Sequence, residues 1–180
     1  MGLFFKIIGA IFLLFLALVV GGYFASPTLT VEREIYIDAP AEDIFPYLND
    51  LELFAQWSPW TAGRPDASYV YGEAIDGVGA SVMWRSSDAD DAAISSQEII
   101  SSQAPEFVQS ALLLNAEPAS VTYALLPDES GRRVGVFIQF EKDVGGFPYM
   151  QRLLKGGDET ALGRDFDAAL LRLKTIVEAG

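Results

Sequence analysis

The chain has 180 residues, 51% of them hydrophobic, with 12 basic side chains against 25 acidic ones and neither cysteine nor histidine. Those two absences remove thiol nucleophiles, disulfides, Cys/His zinc sites, Ser-His-Asp triads and histidine acid-base chemistry by residue type alone. A net charge of −13 repels polyanions, which argues against nucleic acid, bound mostly through phosphate neutralisation by Lys and Arg, and against docking on anionic lipid headgroups.

Ile7 to Ala25 is an uncharged run of 19 residues, IIGAIFLLFLALVVGGYFA. As a helix rising about 1.5 Å per residue it spans roughly 28 Å, close to the hydrocarbon thickness of a bilayer. Residues 1–25 therefore read as a transmembrane anchor. A cleaved signal peptide competes, but a cut after Ala25 puts Tyr23 where a small residue is wanted. Lys6 precedes the run and Arg33 is the first basic residue after it, so the positive-inside rule favours a cytoplasmic N-terminus and a domain on the periplasmic or extracellular side. The absence of cysteine suits either compartment. With Lys6 set aside, the remainder carries 11 positive and 25 negative charges, a net of −14. Residues 26–180 have the length of one ordinary domain with one core, expected to be a monomer.

LTVEREIYI (Leu29 to Ile37) alternates as a strand, with Arg33 on its otherwise apolar face. DAPAEDIFPYLNDLELFAQW predicts two short helices ending at Trp57, with Asp38 as cap, Pro40 in the first turn and Pro46 as a break or kink. Six β-like runs follow the WSPW loop: 68–71, 79–85, 92–102, 107–114, 120–126 and 133–141, broken by Gly77, Pro105, Pro118 and PDESGR. Such short connections predict an antiparallel meander. In the last run Val134, Val136, Ile138 and Phe140 face one way. DETALGRDFDAALLRLKTIVEA then predicts a long helix with an apolar stripe at Leu162, Phe166, Leu170, Leu173 and Val177. Gly156 and Gly157 precede it, Asp158 and Glu159 sit at the positive end of its dipole, and Arg172 and Lys174 lie towards the negative end.

Other motifs carry little chemistry. Asp88, Asp90 and Asp91 lack the Gly and terminal Glu of a calcium loop, and read as a solvated hairpin tip. GVGAS after Asp76 has no following helix to offer phosphate, so its glycines read as turn and bulge residues. Arg33, or Arg85 beside Trp84, could polarise a carbonyl, although snorkelling or ion pairing is the commoner role of a strand arginine. No catalytic residue, metal ligand or cofactor is assigned.

The element order is that of the helix-grip fold, an α+β architecture in which a curved antiparallel sheet wraps a long C-terminal helix. VEREIYIDAPAEDIFPYLNDLELFAQWSPW, GVGASVMW and DFDAALLRLK resemble, in that order, polyketide cyclase/dehydrase-like members of the START/Bet v 1 (SRPBCC) superfamily, over nearly all of Val31 to Val177. Rieske-type hydroxylases of that superfamily need an iron-sulfur domain and metal ligands, which this composition lacks. The resemblance implies a cavity between sheet and last helix, walled by Trp57, Trp60, Trp84, Tyr123, Val136, Ile138, Phe140, Phe166, Leu170 and Leu173. For each of these, plain core packing is the competing reading. Together with the N-terminal run, the resemblance leads to a membrane-anchored, non-catalytic module binding an apolar or amphipathic small molecule. A protein-interaction or chaperone-like module and a cyclase- or dehydratase-type enzyme are the alternatives.

Overall fold

The computed structural model describes residues 28–60, 68–85, 94–114, 116–143 and 158–180. The anchor expected at residues 7–25, the Asp88–Asp91 tip and Gly156–Gly157 lie outside them, as do the side chains of Asp158 and Glu159. Among the described residues no helix is long and apolar enough to cross a membrane.

Seven antiparallel strands make one sheet. They are β1 (Thr28–Ile37), β2 (Ser68–Tyr71), β3 (Ser81–Arg85), β4 (Ile94–Gln103), β5 (Phe107–Leu114), β6 (Glu117–Pro127) and β7 (Val134–Asp143), in the order β1-β7-β6-β5-β4-β3-β2. The expected meander runs from β2 to β7, and β1 closes on β7, with Thr28 opposite Asp143 and Ile37 opposite Val134. Alternation decides which side is the core. On β7, Val134, Val136, Ile138 and Phe140 are all buried, as their spacing predicts. A register shift between Ile99 and Ser101 breaks the β4–β5 ladder. Such a bulge bends and twists its strand, and Ile100 is left exposed there.

Two short helices, α1 (Ala41–Asn49) and α2 (Leu51–Phe54), follow β1. Asp38 does not cap them. Pro40 occupies the N-cap position without a side-chain hydrogen bond, while the Asp38 N–H donates to the Glu178 carboxylate at 2.9 Å. The effective cap is Asp50, whose carboxylate accepts from the Glu52 and Leu53 amides at 2.8 and 3.1 Å. Pro46 lies inside α1 rather than ending it, because at the sixth position of so short a helix it removes a single i→i−4 bond. Pro118 likewise does not delay β6, which begins at Glu117; near a strand's start a missing donor costs little of the ladder. Gly77 and Gly79, at φ 68 and 90, are the turn glycines expected, and the Gly77 amide donates to the Asn49 carbonyl at 3.1 Å, tying the end of α1 to the sheet.

The last helix, α3 (Asp158–Ala179), has the predicted span. Arg33 pairs with Asp167 at 3.1 Å, Lys174 donates to the Tyr36 carbonyl at 2.6 Å, and Glu178 accepts from Asp38. Later residues of β1 thus meet later residues of α3, so the two run alongside in the same direction. Phe166, Ala169, Leu170 and Leu173 are buried, and Leu162 and Val177 are half-buried against the core. Arg33 crosses the helix where Gly163 leaves room, since a Cβ there would stand 1.9 Å from its guanidinium.

Candidate functional site

Register places the inner-face side chains in rows. One row reads Val31, Phe140, Val121, Ser110 and Ile99 across five strands. Another reads Arg33, Ile138, Tyr123 and Val108, and Gln97 lies between Leu112 and Val82 on a third. Trp84, Tyr123, Val136, Ile138 and Phe140 from the sheet, Phe166, Leu170 and Leu173 from α3, and Trp57 and Trp60 from the loop all join one buried cluster. All ten residues nominated as a wall are thus buried in one core cluster, as the core-packing reading also expects.

The WSPW loop is a tight turn. The Ser58 amide donates to the Phe54 carbonyl at 2.9 Å, and the Ser58 hydroxyl accepts from the Trp60 amide at 3.1 Å. From α3 the Arg172 guanidinium donates to the carbonyls of Trp57 and Ser58 at 3.2 and 3.4 Å. This arrangement sends the two indoles to different neighbourhoods. Trp57 packs edge-on against Phe54 and Tyr123, with ring centroids 4.9 and 5.6 Å away, and its indole N–H donates to the Tyr47 carbonyl at 2.8 Å. Trp60 bridges sheet and helix, 5.8 Å from Phe140 and 5.5 Å from Phe166. Its indole Nε1 is buried and has no hydrogen-bond partner among the described residues.

Two further buried side-chain atoms share that condition, the Tyr123 hydroxyl and Gln97 Oε1. Burial pushes the Tyr123 phenol far above its usual range, so it stays protonated, and the neighbouring Trp60 indole offsets that only slightly. Gln97 donates from Nε2 to the Ser110 hydroxyl at 3.2 Å. With Ser95, these residues form a buried polar patch on β4 and β5.

Sequence reasoning missed this patch. In ISSQEII the exposed positions include Ile94 and Ile100 while Ser95 and Gln97 are buried, so the alternation carries no apolar face to follow. The signal available was a glutamine in phase with Ile99. Neither arginine considered for carbonyl polarisation serves the site: Arg85 is exposed on the outer face, and Arg33 is committed to Asp167. Among the described residues no cluster of three or more acidic side chains could hold a metal. A surface groove of about 380 Å³, lined by Gln56, Leu171, Arg172, Thr175 and Ile176, opens on the outside of α3 and reaches none of the inner-face residues.

The sequence pattern of a family described as polyketide cyclase / dehydrase and lipid transport matches residues 28–178. Among solved structures, SA2116 from Staphylococcus aureus, a protein of unknown function, is similar at a TM-score of 0.62 and 14% identity, covering 84% of this chain and 96% of that one. CV1439 from Chromobacterium violaceum is similar at 0.56 and 16%, covering 83% and 98%. DynU16, a protein in the dynemicin biosynthetic locus, is similar at 0.56 and 15%, covering 83% of this chain, which spans 47% of DynU16's length. At such identities the likeness is one of fold. No curated protein matches the chain.

Proposed function

Because the chain belongs to the polyketide cyclase / dehydrase and lipid transport family, we propose that its domain binds a small apolar or amphipathic molecule between the concave sheet face and α3. One observation carries the reading: an almost wholly apolar inner wall is interrupted by three buried polar atoms that find no partner among the described residues. A plain core avoids such atoms, because each costs on the order of 1–3 kcal/mol. A bound molecule offsets that cost. The acidic domain favours a neutral or cationic ligand over an anionic one, and each buried methylene contributes about 0.8 kcal/mol. The family description, which includes lipid transport, and DynU16's place in a biosynthetic locus support the same class of ligand.

Anchorage by residues 7–25 belongs to this proposal. Its support is the uncharged run itself and the closeness of Ala25 to Thr28, where β1 starts. That leaves the domain within a few residues of the bilayer surface, a source of apolar ligand. Native mass spectrometry of residues 26–180, purified without detergent, tests the binding reading. Retained organic mass, or binding from a panel of fatty acids, isoprenoid quinones and sterols, is the expected result. A bare chain that ignores the whole panel would remove it.

One observation favours a second reading. On the convex face Val70, Met83 and Leu113 are exposed and lie in a single register row with Ser96, an apolar strip suited to a partner protein. If the panel is silent, site-specific crosslinking from Met83 in cells would identify that partner.

A further inference from the structure

We infer that the convex face docks on the surface of a zwitterionic phospholipid bilayer through the exposed row of Val70, Met83 and Leu113, with Ile94 just beyond it. The inference rests on the anchorage proposed for residues 7–25 and adds to it the face of the domain that is turned towards the lipid.

Register fixes the height of each residue relative to the point where the chain enters the domain. Thr28, the first residue of β1, pairs with Asp143 at the end of β7. Ala119 pairs with Lys142, which puts Pro118 level with Asp143, and Pro118 pairs with Leu113. From Leu113 the row continues through Ser96 and Met83 to Val70 on the edge strand β2. The exposed apolar side chains therefore stand at the height of Thr28, and only Ser26 and Pro27 separate Thr28 from the end of the uncharged run at Ala25. Ile94, also exposed, pairs with Arg85 and lies two residues further towards the same end, about 7 Å along the strand. A row at right angles to the strands keeps one height even where a sheet curves, so a flat surface meets its residues together.

The placement of charge fits this contact. On the same face Glu98 and Glu141 lie two residues behind Ser96 and Asp143, about 7 Å further from the anchor end. At that end Arg85 is exposed beside Ile94, where an arginine stem can lie on lipid while its guanidinium reaches a phosphate. Asp143 is the one charged side chain in the row, and with the domain's net charge of −14 it makes an anionic surface the wrong partner. Size favours lipid over protein. From Leu113 to Val70 the strip spans three strand spacings, roughly 14 Å, far short of the ~800 Å² per partner of a stable protein interface. A domain tethered a few residues from a bilayer needs much less, because the tether holds the two surfaces at high effective concentration. Since α3 runs alongside β1 and starts at the same end, docking also turns that end of the sheet–helix interface towards the lipid.

The chain has no cysteine to compete for label, so Met83→Cys and Leu126→Cys can each carry one nitrobenzoxadiazole dye in the full chain, held in phosphatidylcholine nanodiscs. Leu126 is the control. It is as exposed as Met83, at 57% against 49%, but it pairs with Gly135 and through it with Tyr36, eight residues along β1 from Thr28 and roughly 27 Å higher. Lipid bearing a nitroxide near its acyl carbonyl should quench the dye at Met83, whose emission is blue-shifted, and leave the dye at Leu126 unchanged. Replacing part of the lipid by phosphatidylglycerol should weaken that quenching; stronger quenching would overturn the lipid class. Val70→Glu with Leu113→Glu should abolish it, thermal melts establishing that these exposed changes leave the fold intact. Equal quenching at both positions, or none at either, in discs that retain the chain overturns the docking and leaves the anchor standing. A dye at Met83 shielded from aqueous iodide yet untouched by the lipid nitroxide assigns the strip to a second copy of the chain and overturns the docking as well. Failure of the discs to retain the chain removes anchor and docking together.

Discussion

The residues of the WSPW loop show how one residue type takes two roles within four positions. Trp57 is fully buried, ringed by Phe54 and Tyr123, with its N–H satisfied. Its replacement by Phe removes ring volume and also strands the Tyr47 carbonyl, so Trp57→Phe should cost about 2–4 kcal/mol in denaturant unfolding. Trp60→Phe loses similar volume but removes a donor that was already unpaired, and it should cost at least about 1 kcal/mol less. Tyr123→Phe is the purest case. It deletes an unpartnered buried hydroxyl at nearly constant shape and should leave the ligand-free protein as stable or about 1 kcal/mol more stable. A loss of about 1 kcal/mol or more from Tyr123→Phe would mean the hydroxyl has a partner in the native fold. Proteins retain such costs where function needs them.

At the scale of elements, β1 and α3 are joined along their length by Arg33–Asp167, Lys174–Tyr36 and Glu178–Asp38. Glu178 titrates below the usual glutamate value of 4.5, chiefly because the Asp38 backbone N–H and then Lys174 stabilise its carboxylate. A depressed carboxyl pKa contributes stability that is present above 4.5 and lost as the pH falls through the folded-state value. Native chain and Glu178→Gln should therefore differ in melting temperature at pH 7 and converge at about pH 3, reading the linkage directly. A difference that persists in acid would assign the effect to packing. Gly163 offers a second test on the same pair of elements. Alanine gains about 1 kcal/mol of helix propensity, but its Cβ displaces the Arg33 guanidinium and so disturbs a half-exposed ion pair worth about 0–1 kcal/mol. Gly163→Ala should leave stability unchanged or slightly raised, and Asp167→Asn should have little further effect in that background.

For the whole molecule, every described element lies after Pro27 and the core cluster begins at Val31. A chain starting at residue 26 should fold cooperatively and run as a monomer on sizing, its net charge of −14 opposing association. Aggregation of that fragment would mean the N-terminal run supplies part of the fold. The orientation proposed for the full chain is checked with protease on intact spheroplasts: digestion of the domain is expected, and protection until lysis would place it in the cytoplasm.

Much of this molecule was legible in one dimension, because side-chain periodicity is local. The 2.0 period of β7 and the 3.6 period of α3 named their buried faces directly, and the order of elements implied the helix-grip arrangement. Composition alone excluded histidine and thiol chemistry. Tertiary structure decided what depends on contacts between distant segments. Whether an indole is satisfied turns on a carbonyl ten residues away for Trp57, and on the packing of Trp60 between Phe140 of β7 and Phe166 of α3. The role of Arg33 turned on a glycine in α3, and Asp38 does not cap α1 because Pro40 takes the N-cap position, while the Asp38 carboxylate lies 4.0 Å from the Arg133 guanidinium. Gln97 stayed hidden because ISSQEII has apolar residues on both faces, and only the tertiary packing of the curved sheet determines which face is dry.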